Sequence, residues 1–394
     1  MTAVTNLAGA DNFVLQSAIS AYSDEAYTNA KKLSGTGIVG DNPLIDTSTE
    51  TFVGQIRWFK PLNPTVNVAS LTDSADGTGS SYSSDYMNYI KTVRTHGATK
   101  VNMQQVVTQQ DGLAKIGRDF GETRGQDEHD AILSVLRGVA LSEVLNGAAS
   151  ASGQAGLGGQ TFDNDPTNKR YGFYVDLGAA KAVVDATATI QGAARAEGFL
   201  RAFGMAYKDY EPEYAYLVTS PEVMASLRSA NLVDSTMVTE GNVNFNTIFQ
   251  GKFRLIQTRA SQGFSTAELT KANTGGGVDI AGPKCSFIVL PGALAMRNLM
   301  VPDSVEIERK AAAYKGGGST SVWYRWGYVV HPAGYNWAGS QEAFPSNADY
   351  VKVVEAGARK ALTAAADGLA NTTGTWIRKV TSALSLGILP VFHS

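Results

Sequence analysis

The sequence has very little cysteine, little charge and no long apolar run, and each shortage excludes a class of protein. Cys285 is the single cysteine in 394 residues, so an intrachain disulfide framework and most thiolate metal sites are excluded. No uninterrupted apolar stretch approaches the length of a membrane-spanning helix. The N-terminus, MTAVTNLAGADNFVLQ, lacks the basic segment and apolar core of a secretory signal. We therefore expect a protein that folds in a reducing cytoplasm, with no membrane partner.

The scarcity of charge also limits the kind of partner. Charged residues make up 18% of the chain, apolar residues 43%, and the net charge is −3. This balance provides no basic surface for gripping phosphates, so a dedicated nucleic-acid binder is not expected. A surface with so little charge is typical of a protein that partners cover.

The first 118 residues divide into an N-terminal helix and a long extended excursion. Residues 11–32 are predicted to be helical, with Phe13, Val14, Ala18, Ile19 and Tyr22 on one face. Residues 51 to about 107 are largely strand-like, around the Gly/Ser-rich tip DSADGTGSSYSSD. An excursion with little visible core of its own is poorly stable alone, since nothing offsets its ordering entropy. We expect it to lie on a neighbouring molecule.

The clearest helix is predicted at 127–149, DEHDAILSVLRGVALSEVLNGAA. Its apolar residues recur at three- and four-residue spacing, as expected for a helix with one buried face. They are Ile132, Val135, Leu136, Val139, Val144 and Leu145. At a rise of about 1.5 Å per residue such a helix is about 30 Å long, enough to form a structural spine.

The remaining chain mixes helices and short strands. Residues 176–204 are predicted to be helical, and EYAYLVTSPEVMASLRSANL is typical of a strand, an N-cap at Ser220 and a helix. KFRLIQT, SFIVLP, VEIERK, SVWYRWGYVVH and LSLGILPVF are predicted strands. Because strands and helices do not alternate regularly, the predicted fold class is α+β.

No motif predicts a catalytic, cofactor or metal site. GTGIVG, with Gly35, Gly37 and Gly40, matches a dinucleotide fingerprint as a string, but a helix precedes it and Asp-Asn-Pro follows, so a hinge is favoured. The four histidines, at 96, 129, 331 and 393, do not pair with each other or with Cys285 at metal-ligand spacing.

The aromatic stretch VWYRWGYVVHPAGYNWAG, residues 322–339, allows two interpretations. His331 is either a catalytic histidine in an aromatic pocket or the end of a strand. The following proline favours an extended backbone, so the structural interpretation is preferred. The predicted strand-turn cluster consists of Trp323, Trp326, His331, Pro332, Gly334, Tyr335 and Trp337.

This part of the chain resembles a known family. A strand ending in HPAGYNW, after KCSFIVLPGALAM and VEIERKAAAYKGGGSTSVWYRWGYVV, is similar to the C-terminal half of tailed-phage major capsid proteins, which have the Hong Kong 97-type fold. The resemblance implies an N-arm at 1–50, an extended loop at 51–118, a peripheral domain at 119–170 with a spine helix at 127–149, an axial domain at 171–330 with peripheral-domain strands towards its end, and a C-terminal segment at 331–394 that returns to the core.

The resemblance also implies a function. It implies a non-enzymatic head protein that assembles as hexamers and pentamers into an icosahedral shell around double-stranded DNA, without sequence-specific DNA binding. No large segment precedes the arm, so a separate scaffolding protein is expected, with a portal and cement proteins as further partners. Assembly would occur in the host cytoplasm and the product would be the virion. The predicted contacts between subunits are Trp58, Phe59, Lys60, Tyr82, Tyr86, Tyr89, Lys91 and Arg94.

Three alternatives remain open from the sequence. An encapsulin-like compartment would form shells alone and capture cargo enzymes. A tail-tube or other virion protein would form stacked rings. A hydrolase using His331 would lose turnover, but not assembly, when His331 is replaced by alanine.

Overall fold

The computed structural model describes the chain in fourteen stretches. They are residues 16–28, 33–59, 84–102, 112–147, 173–176, 198–207 without 201 and 205, 212–229, 231–234, 237–240, 243–258, 284–341, 343–355, 372–379 and 386–393. Within them helices and strands are mixed, which confirms the predicted α+β class.

The elements follow one another in a fixed order. They are α1 (residues 16–28), β1 (Val39–Gly40), β2 (Val53–Phe59), β3 (Ser84–Val101), α2 (Gly112–Gly147), β4 (Val175–Asp176), β5 (Ala215–Thr219), α3 (Pro221–Ser229), β6 (Val238–Glu240), β7 (Val243–Ile248), β8 (Phe253–Gln257), β9 (Lys284–Val289), β10 (Leu294–Asn298), β11 (Val305–Lys310), β12 (Ser319–Pro332), β13 (Tyr335–Trp337), β14 (Val353–Glu355), β15 (Thr372–Gly374), β16 (Trp376–Arg378) and β17 (Ile388–His393). Single 3-10 turns lie at Leu33–Gly35, Ala313–Gly316 and Asp349–Val351.

The first sheet is built around the long strand β12. Its order is β1-β10-β12-β3-β2, and β11 also pairs with β12. Alternate residues of β12 point towards α2: the Trp326 indole N–H and the Tyr328 hydroxyl donate to Asp127 Oδ2 at 3.1 and 2.8 Å. The alternation of apolar and polar residues in β12 therefore reflects one face packed on a helix.

The second sheet has the order β4-β17-β9-β5-β8-β7-β6. All five residues of β5 are buried, which explains why AYLVT reads as a continuous apolar run. Ser220 Oγ accepts the Val223 N–H at 3.4 Å at the start of α3, so the predicted strand, cap and helix are confirmed. The predicted closing strand is β17, which lies between β4 and β9.

The helix α2 begins fifteen residues before the predicted start and ends within the predicted range, at Gly147. Its first half, GLAKIGRDFGETRGQ, contains four glycines, and glycine disfavours helix by about 1 kcal/mol each. Two of these glycines permit close contact with α1. A Cβ at Gly121 would overlap the Ser23 carbonyl oxygen, and one at Gly117 would lie 2.9 Å from Tyr22 Cβ. Tertiary packing therefore outweighs the local propensity.

The N-terminal helix packs within its own chain. Ile19, Ser23 and Tyr27 are buried at four-residue spacing. Tyr27 Oη donates to Glu128 Oε2 at 2.6 Å, and the Arg124 guanidinium lies 4.1 Å from the centre of the Tyr27 ring. The predicted face is therefore partly wrong. Of its members, Ile19 is buried, Ala18 and Tyr22 are half-buried, and Phe13 and Val14 lie outside the described residues.

The predicted excursion at 51–118 is only partly an excursion. Residues 91–101 pair with β12 over the register Val329↔Lys91 to Ser319↔Val101, and residues 112–118 belong to α2. The expectation that this whole segment has little core of its own is therefore wrong. What extends is the hairpin of β2 with residues 84–90. Of the predicted tip, Ser84 and Asp85 begin β3, and the residues before them lie outside the described part of the chain.

The predicted helix at 176–204 is described only at its ends. Val175–Asp176 is strand β4, so the predicted start is wrong by at least one residue. Residues 198–200 and 202–204 are helical, and 177–197 lie outside the described residues.

Candidate functional site

The candidate site is the hairpin that leaves the first sheet. Its two strands pair from Val53↔Ile90 to Phe59↔Ser84. Among the described strands β2 has no second neighbour, so one edge of the hairpin is open. An open edge presents unpaired backbone donors and acceptors that another chain can pair with. A two-stranded ladder is also marginally stable by itself, and both properties suit a segment that other molecules cover.

Two predicted contact residues, Trp58 and Tyr86, lie on this hairpin, whereas Arg94 lies beyond it on the part of β3 that pairs with β12. Tyr86 is 40% exposed on the hairpin. Trp58 is half-buried, and its indole N–H has no hydrogen-bond partner in the described part of the chain. Arg94 Nε lies 3.5 Å from Asp127 Oδ1, and its Nη2 donates to Asn347 Oδ1 at 3.2 Å. Lys60 and Tyr82 fall outside the described residues, and Phe59 is described through its backbone alone.

Two predicted contact residues point into their own chain instead. Tyr89 is 1% exposed and Lys91 is 0% exposed. The Tyr89 hydroxyl accepts the Asp46 N–H at 2.7 Å, and Lys91 Nζ lies 2.7 Å from Asp46 Oδ2. The prediction that these two side chains contact a neighbouring subunit is therefore wrong in this structure. The segment around Asp46 covers them, and no periodicity in the sequence indicates that contact.

Most of the predicted strand-turn cluster lies in the interior. Six of its seven members are buried: Trp326, His331, Pro332, Gly334, Tyr335 and Trp337. The turn after β12 uses Gly334 at a φ of 83°, a conformation that favours glycine. Trp337 then packs edge-on against Trp376 with ring centres 5.1 Å apart. The cluster is brought together as a core.

Trp323 is the exception, since it is 43% exposed on the other face of β12. Its ring lies over Gly97 of β3, where an added Cβ would be 2.6 Å from the indole. Gly97 therefore gives this ring a flat support on an exposed face of the sheet.

His331 has no access to a substrate. It is 2% exposed, and its ring centre lies 6.3 Å from that of Tyr89 and 6.0 Å from that of Trp376. Neither ring nitrogen has a hydrogen-bond partner among the described residues. A general base must reach the proton that it abstracts. The position of His331 therefore argues against the hydrolase alternative.

Sequence reasoning missed a second histidine contact. Ser286 Oγ and His393 Nε2 are 2.8 Å apart, and Thr219 Oγ1 lies 2.9 Å from Ser286 Oγ. Ser286 and His393 are each 1% exposed, so this pair joins β9 to β17 rather than facing a substrate. The signal was absent from the sequence because 107 residues separate the two side chains.

Burial of His331 predicts a loss of stability in acid. Burial lowers the pKa of His331 from its ordinary 6.5 to about 4. Between these values the unfolded chain binds a proton that the folded chain does not, so stability is full above 6.5 and falls as the pH drops towards 4. The shift corresponds to at most about 3 kcal/mol. Urea unfolding of the unassembled chain at several pH values measures this slope.

The matched control is His96, which is exposed on β3. We expect His331→Phe to flatten the pH dependence of the unfolding free energy between pH 4 and 6.5 and His96→Phe to leave it unchanged. Equal slopes in wild type and His331→Phe would contradict the assignment.

Metal and membrane sites are not indicated in the described stretches. They contain no group of three or more His, Cys, Asp or Glu side chains that could hold a metal ion. No helix in those stretches is long and apolar enough to cross a membrane. Cys285 is buried, and burial raises the pKa of its thiol.

Comparison with solved structures gives matches to phage capsids at low identity. The capsid of Ralstonia phage GP4 is 13% identical, with a TM-score of 0.45, over 76% of this chain and 84% of that chain. The head structure of Helicobacter pylori bacteriophage KHP40 is 8% identical, with a TM-score of 0.44, over 93% and 91%. The mature capsid of bacteriophage PhiM1 is 14% identical, with a TM-score of 0.42, over 73% and 81%. No protein-family model and no curated sequence matches the chain.

Proposed function

We propose that this chain is a major capsid protein of a tailed phage, with the Hong Kong 97-type fold. It assembles as hexamers and pentamers into an icosahedral shell that encloses double-stranded DNA, and it is not an enzyme. The observation that carries the proposal is the open-edged hairpin of β2 and residues 84–90, which projects from a body made of a long helix on a long-stranded sheet.

The order of the elements supports this proposal. An N-terminal arm, a hairpin, a 36-residue helix and a second sheet follow one another, and the C-terminal strand returns to that second sheet. This is the order that the resemblance of the sequence implies. The proposed N-arm, axial domain and C-terminal segment keep the predicted bounds. Because the spine helix begins at Gly112, the proposed peripheral domain begins there and the proposed extended loop ends before it.

The proposed contacts between copies are Trp58, Tyr86 and Arg94, together with the undescribed tip. Aromatic and arginine side chains contribute most of the binding free energy in protein interfaces. Tyr86 is exposed and Trp58 is half-buried, so each leaves ring surface that a neighbour can cover. Obligate interfaces of this kind bury about 2,000 Å² or more.

The charge of the chain fits a container for DNA. A net charge of −3 avoids the tight phosphate binding that would hinder packing and release of a genome. The proposed partners are further copies of this chain, a separate scaffolding protein, a portal and cement proteins. The proposed location is the virion, after assembly in the host cytoplasm.

Co-expression with the scaffolding protein tests the function. We expect a fast-sedimenting particle that contains this chain as its main protein. Only small soluble oligomers, with the scaffold present, would contradict the proposal. Shells that form without a scaffold and carry an enzyme would favour the encapsulin-like alternative.

Deleting residues 76–83 tests the role of the hairpin tip. Assembly should fall about tenfold, because the contacts of the tip are made to another copy. The free energy of unfolding of the unassembled chain should change by less than about 1 kcal/mol, since loop length has a small effect on stability. Sedimentation measures the first quantity and urea unfolding the second. If the deletion lowered the free energy of unfolding as sharply as the assembly yield, the tip would be needed for folding of the single chain.

A further inference from the structure

The strand β3 changes partner at a single residue. Ile90 makes the innermost pair of the hairpin, with Val53. Lys91 makes the outermost pair with β12, opposite Val329. The Lys91 N–H also donates to the Phe52 carbonyl at 2.8 Å. Lys91 therefore lies at the point where the hairpin leaves the body.

The side chain of Lys91 is fully buried at this point. Its ammonium donates to Asp46 Oδ2 at 2.7 Å and to the Ser48 carbonyl at 2.6 Å. Ser48 Oγ at 3.3 Å and Thr51 Oγ1 at 3.4 Å complete its surroundings. A buried charge is costly unless it is paired and hydrogen-bonded. Here every acceptor comes from the short segment that leads into β2.

Asp46 also makes hydrogen bonds that do not involve Lys91. The Asp46 N–H donates to the Tyr89 hydroxyl, and the Ser48 hydroxyl donates to Asp46 Oδ2 at 2.6 Å. Asp46 thus connects two buried residues of β3 to the segment entering β2, Tyr89 through its backbone N–H and Lys91 through its carboxylate. A further tie is the Asn88 N–H, which donates to Asn336 Oδ1 at 2.7 Å. Both strands of the hairpin are fixed to the body at their base.

We propose that Lys91 is a positioning residue for assembly: with Asp46 it holds the β2–β3 hairpin at one angle to the body before any neighbour binds. A hairpin held in its binding direction loses less conformational freedom on association. The consequence for assembly rests on the proposed function, whereas the fixed angle is a property of the single chain.

Distance measurements on the unassembled full chain test the fixed angle. Spin labels on cysteines at Arg57 of the hairpin and Glu308 of the body occupy exposed positions. Cys285 is 1% exposed and stays unlabelled. Pulsed electron paramagnetic resonance should give one narrow distance distribution for the otherwise wild-type chain. Lys91→Met and Asp46→Asn should broaden it at least about twofold, since an unsupported two-stranded ladder is marginal.

The control variant is Arg325→Met, which removes an exposed ion pair with Glu306 at 2.6 Å on the same sheet. It should leave the distribution narrow. If Lys91→Met does not fold, Asp46→Asn carries the test, because the Asp46 side chain is 56% exposed. If neither Lys91→Met nor Asp46→Asn broadened the distance distribution, or if Arg325→Met broadened it equally, the proposal would be overturned.

Assembly yield separates this inference from the proposed function. Variants with a broadened distance distribution should assemble about tenfold less well, as expected when the preorganisation of the hairpin is lost. Broadened variants that assemble as well as wild type would overturn the positioning role. A wild-type chain with a narrow distribution that never forms shells would contradict the proposed function alone.

Discussion

Replacing Gly138 by alanine is expected to destabilise the chain by more than about 3 kcal/mol, although alanine is the better helix former. A Cβ at Gly138 would overlap the Tyr350 carbonyl oxygen and lie 2.9 Å from the Trp376 indole nitrogen. The helix α2 would have to move away from the turn at Asp349–Val351 and from β16. Because the obstructing atom is backbone, a side-chain rotation cannot relieve the overlap.

Gly204 provides the matched control for this substitution. It is also helical, but an added Cβ there meets no atom within 4 Å. Gly204→Ala should change the unfolding free energy by less than about 1 kcal/mol. Urea unfolding of the two unassembled variants measures the difference. If Gly138→Ala were as stable as Gly204→Ala, the close packing of α2 on Tyr350 would be wrong.

Replacing Leu136 by alanine is expected to cost about 2 to 5 kcal/mol, because buried leucines leave a cavity when they are shortened. Leu136 is 0% exposed, and Ile132 and Val139 on the same face of α2 are also fully buried. Urea unfolding checks the value. Lys115→Ala, at an exposed position of the same helix, should stay within about 0.5 kcal/mol. A near-zero change at Leu136 would place the core on another face of α2.

The helix α2 shows what periodicity can and cannot predict. Its second half was predicted because apolar residues such as Ile132 and Val139 recur at helical spacing. Its first half was missed because Gly117 and Gly121 read locally as helix breakers. These glycines allow close contact with Tyr22 and Ser23 of α1, which lie about 95 residues earlier in the chain. No local pattern contains that contact.

Strands were predicted more readily than their order. Apolar runs such as AYLVT and ILPVFH indicate β5 and β17. The parallel pairs β5–β8 and β17–β4 join segments that are distant in sequence, and such pairing is decided by global packing.

The candidate site was predicted only in part, because its contacts also join segments that are distant in sequence. Alternation along β12 indicates that Trp326 and Tyr328 share a face, but not that Trp323 rests on Gly97. In β3 the sequence predicted exposed contacts at Tyr89 and Lys91, and the loop at Asp46 buries both. A buried lysine is uncommon, and its counter-ion is 45 residues away. Only the folded structure shows that this charge serves the base of the hairpin.

Electron microscopy of the co-expressed and purified particle tests the central claim most directly. The account predicts closed shells in which copies of this chain form hexamers and pentamers, with the β2–β3 hairpin of each copy lying on another copy. Stacked rings, small oligomers, or a hairpin that contacts no second copy would contradict it.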